Sequence, residues 1–112
     1  MKRFRIWAIC AVLAVAVRIA MPAWAAPAKG DAAKGKEVFD QCAVCHNADS
    51  DEKKTGPGLK GLFSKDKLTN GKKPTEANIR AKIDEGGNGM PAYKDLLSDQ
   101  EKDDLIAYLK TL

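Results

Sequence analysis

The chain has 112 residues, with 19 lysine and arginine residues, 15 aspartate and glutamate residues and one histidine. This length is enough for one small domain. Because four of the basic residues lie in the first 25 residues, which contain no acidic residue, the remainder is electrically balanced and gives no support for nucleic-acid binding.

The N-terminal residues have the features of an export signal. Basic residues at the beginning of the chain precede an unbroken apolar run over residues 6–17. Small residues follow, with a predicted cleavage site after Ala25. Twelve apolar residues are too few to span a bilayer and are typical of a signal peptide. We predict a cleaved signal peptide at residues 1–25 and an exported protein. The alternative is an uncleaved leader that anchors the protein to the membrane.

The domain is expected to begin with a helix. We predict a flexible lead-in at residues 26–30 and a single domain over residues 31–112. Asp31 can cap a helix that runs to about Cys45. Gly35 lies within this helix, where a glycine costs stability and indicates the close approach of another element.

The middle of the chain is predicted to consist of loops and two short helices. Residues 47–55 are polar and show no periodicity, whereas residues 59–63 have the apolar spacing of one helical turn. Thr75 can cap a helix over residues 76–85, which the glycine-rich residues 86–89 end.

The last predicted helix starts with a capping box formed by Ser98 and Glu101. Its apolar face contains four aliphatic residues and a tyrosine, namely Leu105, Ile106, Leu109, Leu112 and Tyr108. We find no strand-like alternation and predict an all-α fold of three to four helices. The long loops of such a small domain require something to wrap around.

Cys42, Cys45 and His46 form a C-x-x-C-H sequence, which is the arrangement that attaches a haem covalently. On one turn, the two thiols can each form a thioether with a vinyl group, and the imidazole can bind the iron. Half a zinc site and a thiol redox pair are the alternatives. Residues 26–112 offer no further cysteine or histidine for zinc, and no βαβ pattern for a thioredoxin-like site. The sequence favours one covalent haem c.

Met90 is the single methionine of residues 26–112 and lies 44 positions after His46 in the glycine-rich stretch. A thioether is a soft, neutral ligand that raises the reduction potential of a haem iron. The small neighbouring residues allow the backbone to pass close to a porphyrin face. We interpret Met90 as the second axial ligand, together with His46. The alternative is that Met90 fills the apolar core.

These features resemble the class I monohaem c-type cytochromes, in their small bacterial periplasmic form. The resemblance rests on the C-x-x-C-H sequence, on Thr-Gly-Pro-Gly at residues 55–58 and on the Gly-Met-Pro around Met90. It implies that the carbonyl group of Pro57 accepts a hydrogen bond from the outer N–H of His46, which orients the ring.

The same resemblance implies a crossing between the first and last helices. Gly35 and Phe39 would lie at this crossing, with Leu105, Tyr108 and Leu109 as their partners.

By resemblance, the protein is a soluble, monomeric carrier of single electrons between periplasmic redox partner proteins. No catalytic residue is expected, because the one histidine is used as a ligand and binding of Met90 leaves no open iron position. A haem-based sensor with a labile Met90 is one alternative. An electron-transfer subunit of a larger oxidoreductase is another.

The charges of the domain are segregated along the sequence. Seven lysines lie between positions 53 and 73, where Asp66 is the only acidic residue: Lys53, Lys54, Lys60, Lys65, Lys67, Lys72 and Lys73. The C-terminal segment is biased towards acidic residues. Such a dipole can orient the docking of a redox partner. The alternative is that these charges only solubilise loops and helix faces.

Overall fold

The computed structural model describes residues 29–112, so the predicted signal peptide and most of the lead-in lie outside the described residues. Three α-helices follow one another: α1 (Ala32–Phe39), α2 (Glu76–Glu85) and α3 (Asp99–Leu109). A short 3-10 helix (Leu62–Ser64) lies between α1 and α2. The described residues contain no strand, and the predicted all-α fold is confirmed.

Each α-helix begins at the capping residue that the sequence predicts. The carboxylate of Asp31 accepts hydrogen bonds from two backbone N–H groups of α1, and the hydroxyl of Thr75 accepts one from α2. At the start of α3, the hydroxyl of Ser98 accepts the N–H of Glu101, and the Glu101 carboxylate accepts the N–H of Ser98. These contacts satisfy N–H groups that have no partner inside the helix.

The first helix ends at Phe39 and not at about Cys45, so the predicted end was wrong. The carbonyl oxygen of Phe39 accepts two N–H groups, from Cys42 at 2.7 Å and from Ala43 at 2.9 Å. In the same way, the carbonyl oxygen of Cys42 accepts the N–H groups of both Cys45 and His46. This shared bonding tightens the chain into successive turns, which replace the regular α-helical pattern.

The predicted crossing of α1 and α3 is confirmed. A Cβ at Gly35 would overlap the carbonyl oxygen of Asp104 and would lie 2.8 Å from the Cβ of Tyr108. The rings of Phe39 and Tyr108 pack with their centroids 5.3 Å apart at an interplanar angle of 56°. The glycine is therefore needed for the two backbones to approach each other.

The core of the domain is formed by buried apolar side chains from all three helices and the segments between them: Phe39, Leu62, Ile79, Ile83, Leu97, Leu105, Ile106 and Leu109. Of the three predicted partners of the crossing, Leu105 and Leu109 belong to this cluster and Tyr108 packs against it. Within residues 29–112, no helix has the length and apolar character needed to cross a membrane.

Ion pairs join α2 to α3 beside the core. The guanidinium group of Arg80 contacts the carboxylates of Asp103 at 2.6 Å and Asp99 at 3.2 Å. Partial burial lowers the pKa of the Arg80 guanidinium group, but the hydrogen bonds and charges of Asp103 and Asp99 raise it by more. The net effect is a raised pKa. This contact fixes the start of α3 against α2.

Candidate functional site

The two thiols of the C-x-x-C-H sequence lie in the turns that follow α1. Cys42 and Cys45 are both free and half-buried. Burial raises the pKa of the Cys42 thiol to about 11, with a smaller contribution from the neighbouring Cys45. A reactive redox pair requires a lowered thiol pKa, so this environment counts against that alternative.

The imidazole of His46 is oriented by a main-chain carbonyl group. Its Nδ1 lies 2.8 Å from the carbonyl oxygen of Pro57. Because a carbonyl group only accepts hydrogen bonds, this contact requires the proton on Nδ1 and leaves the lone pair of Nε2 available. The contact has the form that orients a metal-binding histidine.

Gly56 lies against the same ring. A Cβ at this position would be 2.5 Å from Cε1 of His46 and 2.9 Å from Nδ1. The N–H of Gly56 also donates to the carbonyl oxygen of Cys45 at 2.7 Å. The proximal loop (residues 55–59) is thus bonded directly to the C-x-x-C-H turn, and only a glycine leaves room for the imidazole there.

Two lysines strengthen this part of the site. The ammonium group of Lys65 donates to the carbonyl oxygen of Gly58 at 3.0 Å, and that of Lys54 donates to the carbonyl oxygen of Ala43 at 3.1 Å. Both belong to the lysine-rich segment (residues 53–73), so part of its charge is used inside the domain.

Met90 lies in a tight turn after α2, in the methionine loop (residues 86–92). Its N–H and carbonyl group are bonded to the carbonyl group and N–H of Gly87, at 3.1 and 2.9 Å. Gly87 has a φ of +109° and Gly89 a φ of +90°, a backbone conformation that glycine adopts without strain. The side chain of Met90 is half-buried and packs against the core.

Tyr93, which follows the methionine loop, lies near the two thiols of the C-x-x-C-H turn. Burial raises the pKa of its hydroxyl group, as do the charges that Cys42 and Cys45 would carry as thiolates. The segment that follows Met90 is therefore close to the C-x-x-C-H turn, although the two are more than 40 positions apart in the sequence.

The side chains around these residues fit a large apolar group. Several apolar residues pack against the core and still keep a part of their surface exposed, among them Leu59, Phe63, Leu68, Met90 and Tyr93. The potential ligands are one imidazole nitrogen, one thioether and two free thiols. This set fits a haem held by two thioether bonds. It does not fit zinc, because residues 29–112 contain no group of three or more His, Cys, Asp or Glu side chains that could hold a metal ion.

One feature near the methionine loop was missed by the sequence analysis. Lys102, on α3, is 3% exposed and its ammonium group donates to the carbonyl oxygen of Lys94. Its position three residues before Leu105 and four before Ile106 places it on the buried face of the helix, and this spacing is the signal that could have identified it.

Comparison with known proteins gives consistent results. A family model described as "Cytochrome c" matches residues 32–112. The chain is 32% identical to cytochrome c2 of Rhodospirillum rubrum, over 84% of this chain and 90% of that protein. It is 36% identical to cytochrome c6 of Synechocystis, over 70% of this chain and 63% of that protein.

Solved structures of two related proteins have the same fold. Cytochrome c6 of the diatom Phaeodactylum tricornutum matches with a TM-score of 0.57 and 31% identity, over 73% of this chain and 93% of that chain. Cytochrome cH of Methylobacterium extorquens matches with a TM-score of 0.56 and 29% identity, over 74% of this chain and all of that chain.

The fold and the site define a small all-α protein with one covalently bound haem c, the class I type of c-type cytochrome. The chain belongs to the cytochrome c family. The predicted resemblance is confirmed, and with it the attachment of haem c at the C-x-x-C-H sequence and the transport of electrons.

Proposed function

We propose that this protein is a periplasmic shuttle that carries one electron at a time between two redox partner proteins. In this proposal His46 and Met90 bind the haem iron, and Cys42 and Cys45 form the thioether bonds. The observation that carries the proposal is the contact between Nδ1 of His46 and the carbonyl oxygen of Pro57, because it leaves Nε2 free to bind a metal.

The bound haem supplies a one-electron change between ferrous and ferric iron. The protein contributes the ligands and their positions. The hydrogen bond to Pro57 and the bond from Gly56 to Cys45 hold the proximal loop around His46, and these contacts oppose rotation of the ring when the charge of the site changes. The thioether of Met90 would be a neutral ligand that favours the ferrous state and raises the potential.

We propose an electron carrier and not an enzyme. With both His46 and Met90 bound, the iron would have no open position, and His46 would be unavailable as a general base. An electron carrier benefits from ligands that stay in place in both oxidation states, which is what the bonded loops on both sides of the site support.

We propose that partners dock on the lysine-rich segment. Five of its lysines are exposed and, among the described residues, form neither an ion pair nor a side-chain hydrogen bond: Lys53, Lys60, Lys67, Lys72 and Lys73. In the acidic C-terminal segment, by contrast, Asp99 and Asp103 pair with Arg80, and Asp104 is buried. The unpaired charge of the lysine-rich segment is therefore mainly positive, which favours a partner with an acidic surface.

The periplasmic location rests on the predicted signal peptide and on the chemistry of haem attachment, which takes place outside the cytoplasm in these proteins. Mass spectrometry of the protein from a periplasmic extract would test both. The expected mass corresponds to residues 26–112 with one haem, whereas an intact leader found in the membrane fraction would support the anchored alternative.

The ligand proposal is tested by optical spectra of the holoprotein and of Met90→Ala. We expect a weak charge-transfer band at the red end of the ferric spectrum in the wild type and its loss in the variant. Leu96→Ala is the matched control, because Leu96 is 68% exposed and follows the same loop; it should retain the band. Absence of the band from the wild type would refute ligation by Met90.

Carbon monoxide distinguishes the carrier from the sensor alternative. The reduced wild-type protein should bind it slowly or not at all, while Met90→Ala should bind it at once. Rapid binding by the wild type would favour the sensor.

A further inference from the structure

A buried lysine on α3 lies at the base of the methionine loop. Lys102 is 3% exposed, although lysines are almost never buried without a partner. Its ammonium group donates to the carbonyl oxygen of Lys94 at 3.0 Å and lies 2.7 Å from Oδ1 of Asp84. Asp84 precedes the loop and Lys94 follows it, so one charged group contacts both ends of the loop.

Asp84 depends on this contact. Its Oδ1 is buried and, within residues 29–112, accepts no hydrogen bond of standard geometry, so the nearby ammonium group supplies its compensating charge. Removal of the ammonium group would leave this buried oxygen without a compensating charge, which is destabilising at that place. The contact therefore keeps the segment before the methionine loop, at Asp84, next to the segment after it, at Lys94.

The main-chain bonds at the base of the loop are few. The N–H of Tyr93 donates to the carbonyl oxygen of Ile83 at 2.9 Å, and the N–H of Lys94 donates to that of Asp84 at 3.3 Å. The second bond is long and therefore weak. Lys102, on α3, adds a charge-assisted contact to both Asp84 and Lys94. This contact opposes separation of the two ends of the methionine loop.

We propose that Lys102 is a positioning residue for the axial ligand. It holds the base of the methionine loop closed and thereby determines how often the sulfur of Met90 leaves the iron. This inference rests on the proposed role of Met90 as a ligand. Opening of the loop is a local event, whose frequency depends on contacts at its base and not on the stability of the whole domain.

The test is the rate at which imidazole binds to the ferric holoprotein, since imidazole can bind only after the sulfur has left. Lys102→Met keeps the apolar stem and removes the ammonium group. We expect binding at least about tenfold faster than in the wild type, because a hydrogen bond to a charged group contributes a factor of this order to an opening equilibrium. The red band should persist before imidazole is added.

Arg80→Met is the matched control. It also removes a cation that joins α2 to α3, but Arg80 contacts Asp99 and Asp103 and not the loop. This variant should bind imidazole at the same rate as the wild type, even if its free energy of unfolding is lower. Hydrogen exchange provides a second readout, in which the amide of Tyr93 should exchange faster in Lys102→Met than in Arg80→Met.

Equal rates for Lys102→Met and the wild type would overturn the proposal, and so would equal acceleration by the two variants. If Lys102→Met does not fold, Asp84→Asn removes the same ion pair and should also accelerate imidazole binding. Met90→Ala separates this inference from the proposed function. If it binds imidazole at the wild-type rate, Met90 is not the ligand; if it binds faster while Lys102→Met does not, only the role of Lys102 is refuted.

Discussion

The Nδ1 atom of His46 lies 2.8 Å from the carbonyl oxygen of Pro57, eleven positions further along the chain. The backbone at Gly56 passes directly beside the same ring. Two consecutive residues of the proximal loop thus act on the imidazole in different ways. Gly56 provides the space for the ring, and Pro57 provides the acceptor that orients it.

Because Gly56 provides space for the imidazole and Pro57 provides its acceptor, alanine substitutions at these two positions should have different effects. Gly56→Ala should displace the ring, because its Cβ would be 2.5 Å from Cε1 of His46. Loss of the bond to Pro57 would make His46, the proposed ligand, less basic, so we expect a lower yield of holoprotein and a potential higher by roughly tens of millivolts. Pro57→Ala keeps the carbonyl group and should remain near the wild-type potential. Redox titration checks both, and equal shifts would contradict the assignment.

The crossing of α1 and α3 predicts a large loss of stability for Gly35→Ala. The added methyl group overlaps the carbonyl oxygen of Asp104, a main-chain atom that cannot move without displacing α3. We expect a loss of about 3 kcal/mol or more in the free energy of unfolding of the holoprotein. Ala33→Gly, at an exposed position of the same helix, should cost about 1 kcal/mol or less. Urea unfolding measures both, and a mild effect of Gly35→Ala would argue against close contact of the two backbones.

Asp104 predicts a pH dependence of stability. Its carboxylate accepts hydrogen bonds from the N–H of Asp31 and the amide of Gln100, which lower the pKa of Asp104 below its ordinary value. A lowered pKa in the folded state contributes stability above the unfolded pKa, and this contribution is lost as the pH falls through the folded pKa. Asp104→Asn should therefore be less stable than the wild type at pH 7.

The difference between Asp104→Asn and the wild type should shrink below about pH 4, where the aspartate of the unfolded chain becomes protonated. Gln100→Ala removes only one of the two bonds and should have a smaller effect. Urea unfolding at several pH values is the measurement. A difference that stays constant from neutral to acidic pH would contradict a role for the charge.

The lysine-rich segment predicts a salt-dependent reaction with anions. Replacement of both Lys72 and Lys73 by glutamine should slow oxidation of the reduced protein by hexacyanoferrate(III) at low salt by roughly two- to tenfold. The effect should disappear at high salt, where the charges are screened. Substitution of Lys34 and Lys36 on α1 is the control with the same change of net charge. Stopped-flow absorbance distinguishes them, and equal effects of the two pairs would indicate net charge and not a local surface.

The sequence alone determined the parts of this protein that depend on neighbouring residues. Asp31, Thr75 and Ser98 cap their helices through bonds that span two or three positions, and such bonds can be recognised from residue type and spacing. The C-x-x-C-H sequence is also recognised from neighbouring residues alone. Met90 is recognised in the same way, as a single methionine in a glycine-rich stretch. The bond between His46 and Pro57 came from family resemblance, because no local pattern relates residues eleven positions apart.

Only the tertiary structure decided features that arise where distant segments meet. The end of α1 at Phe39 depends on how the C-x-x-C-H turn is held against the proximal loop, and helix propensity contains no such information. The bond from the N–H of Asp31 to Asp104 joins residues 73 positions apart. The spacing of Lys102 to Leu105 and Ile106 places it on the buried face of α3, but only the tertiary structure supplies Asp84 and Lys94 as partners for its charge.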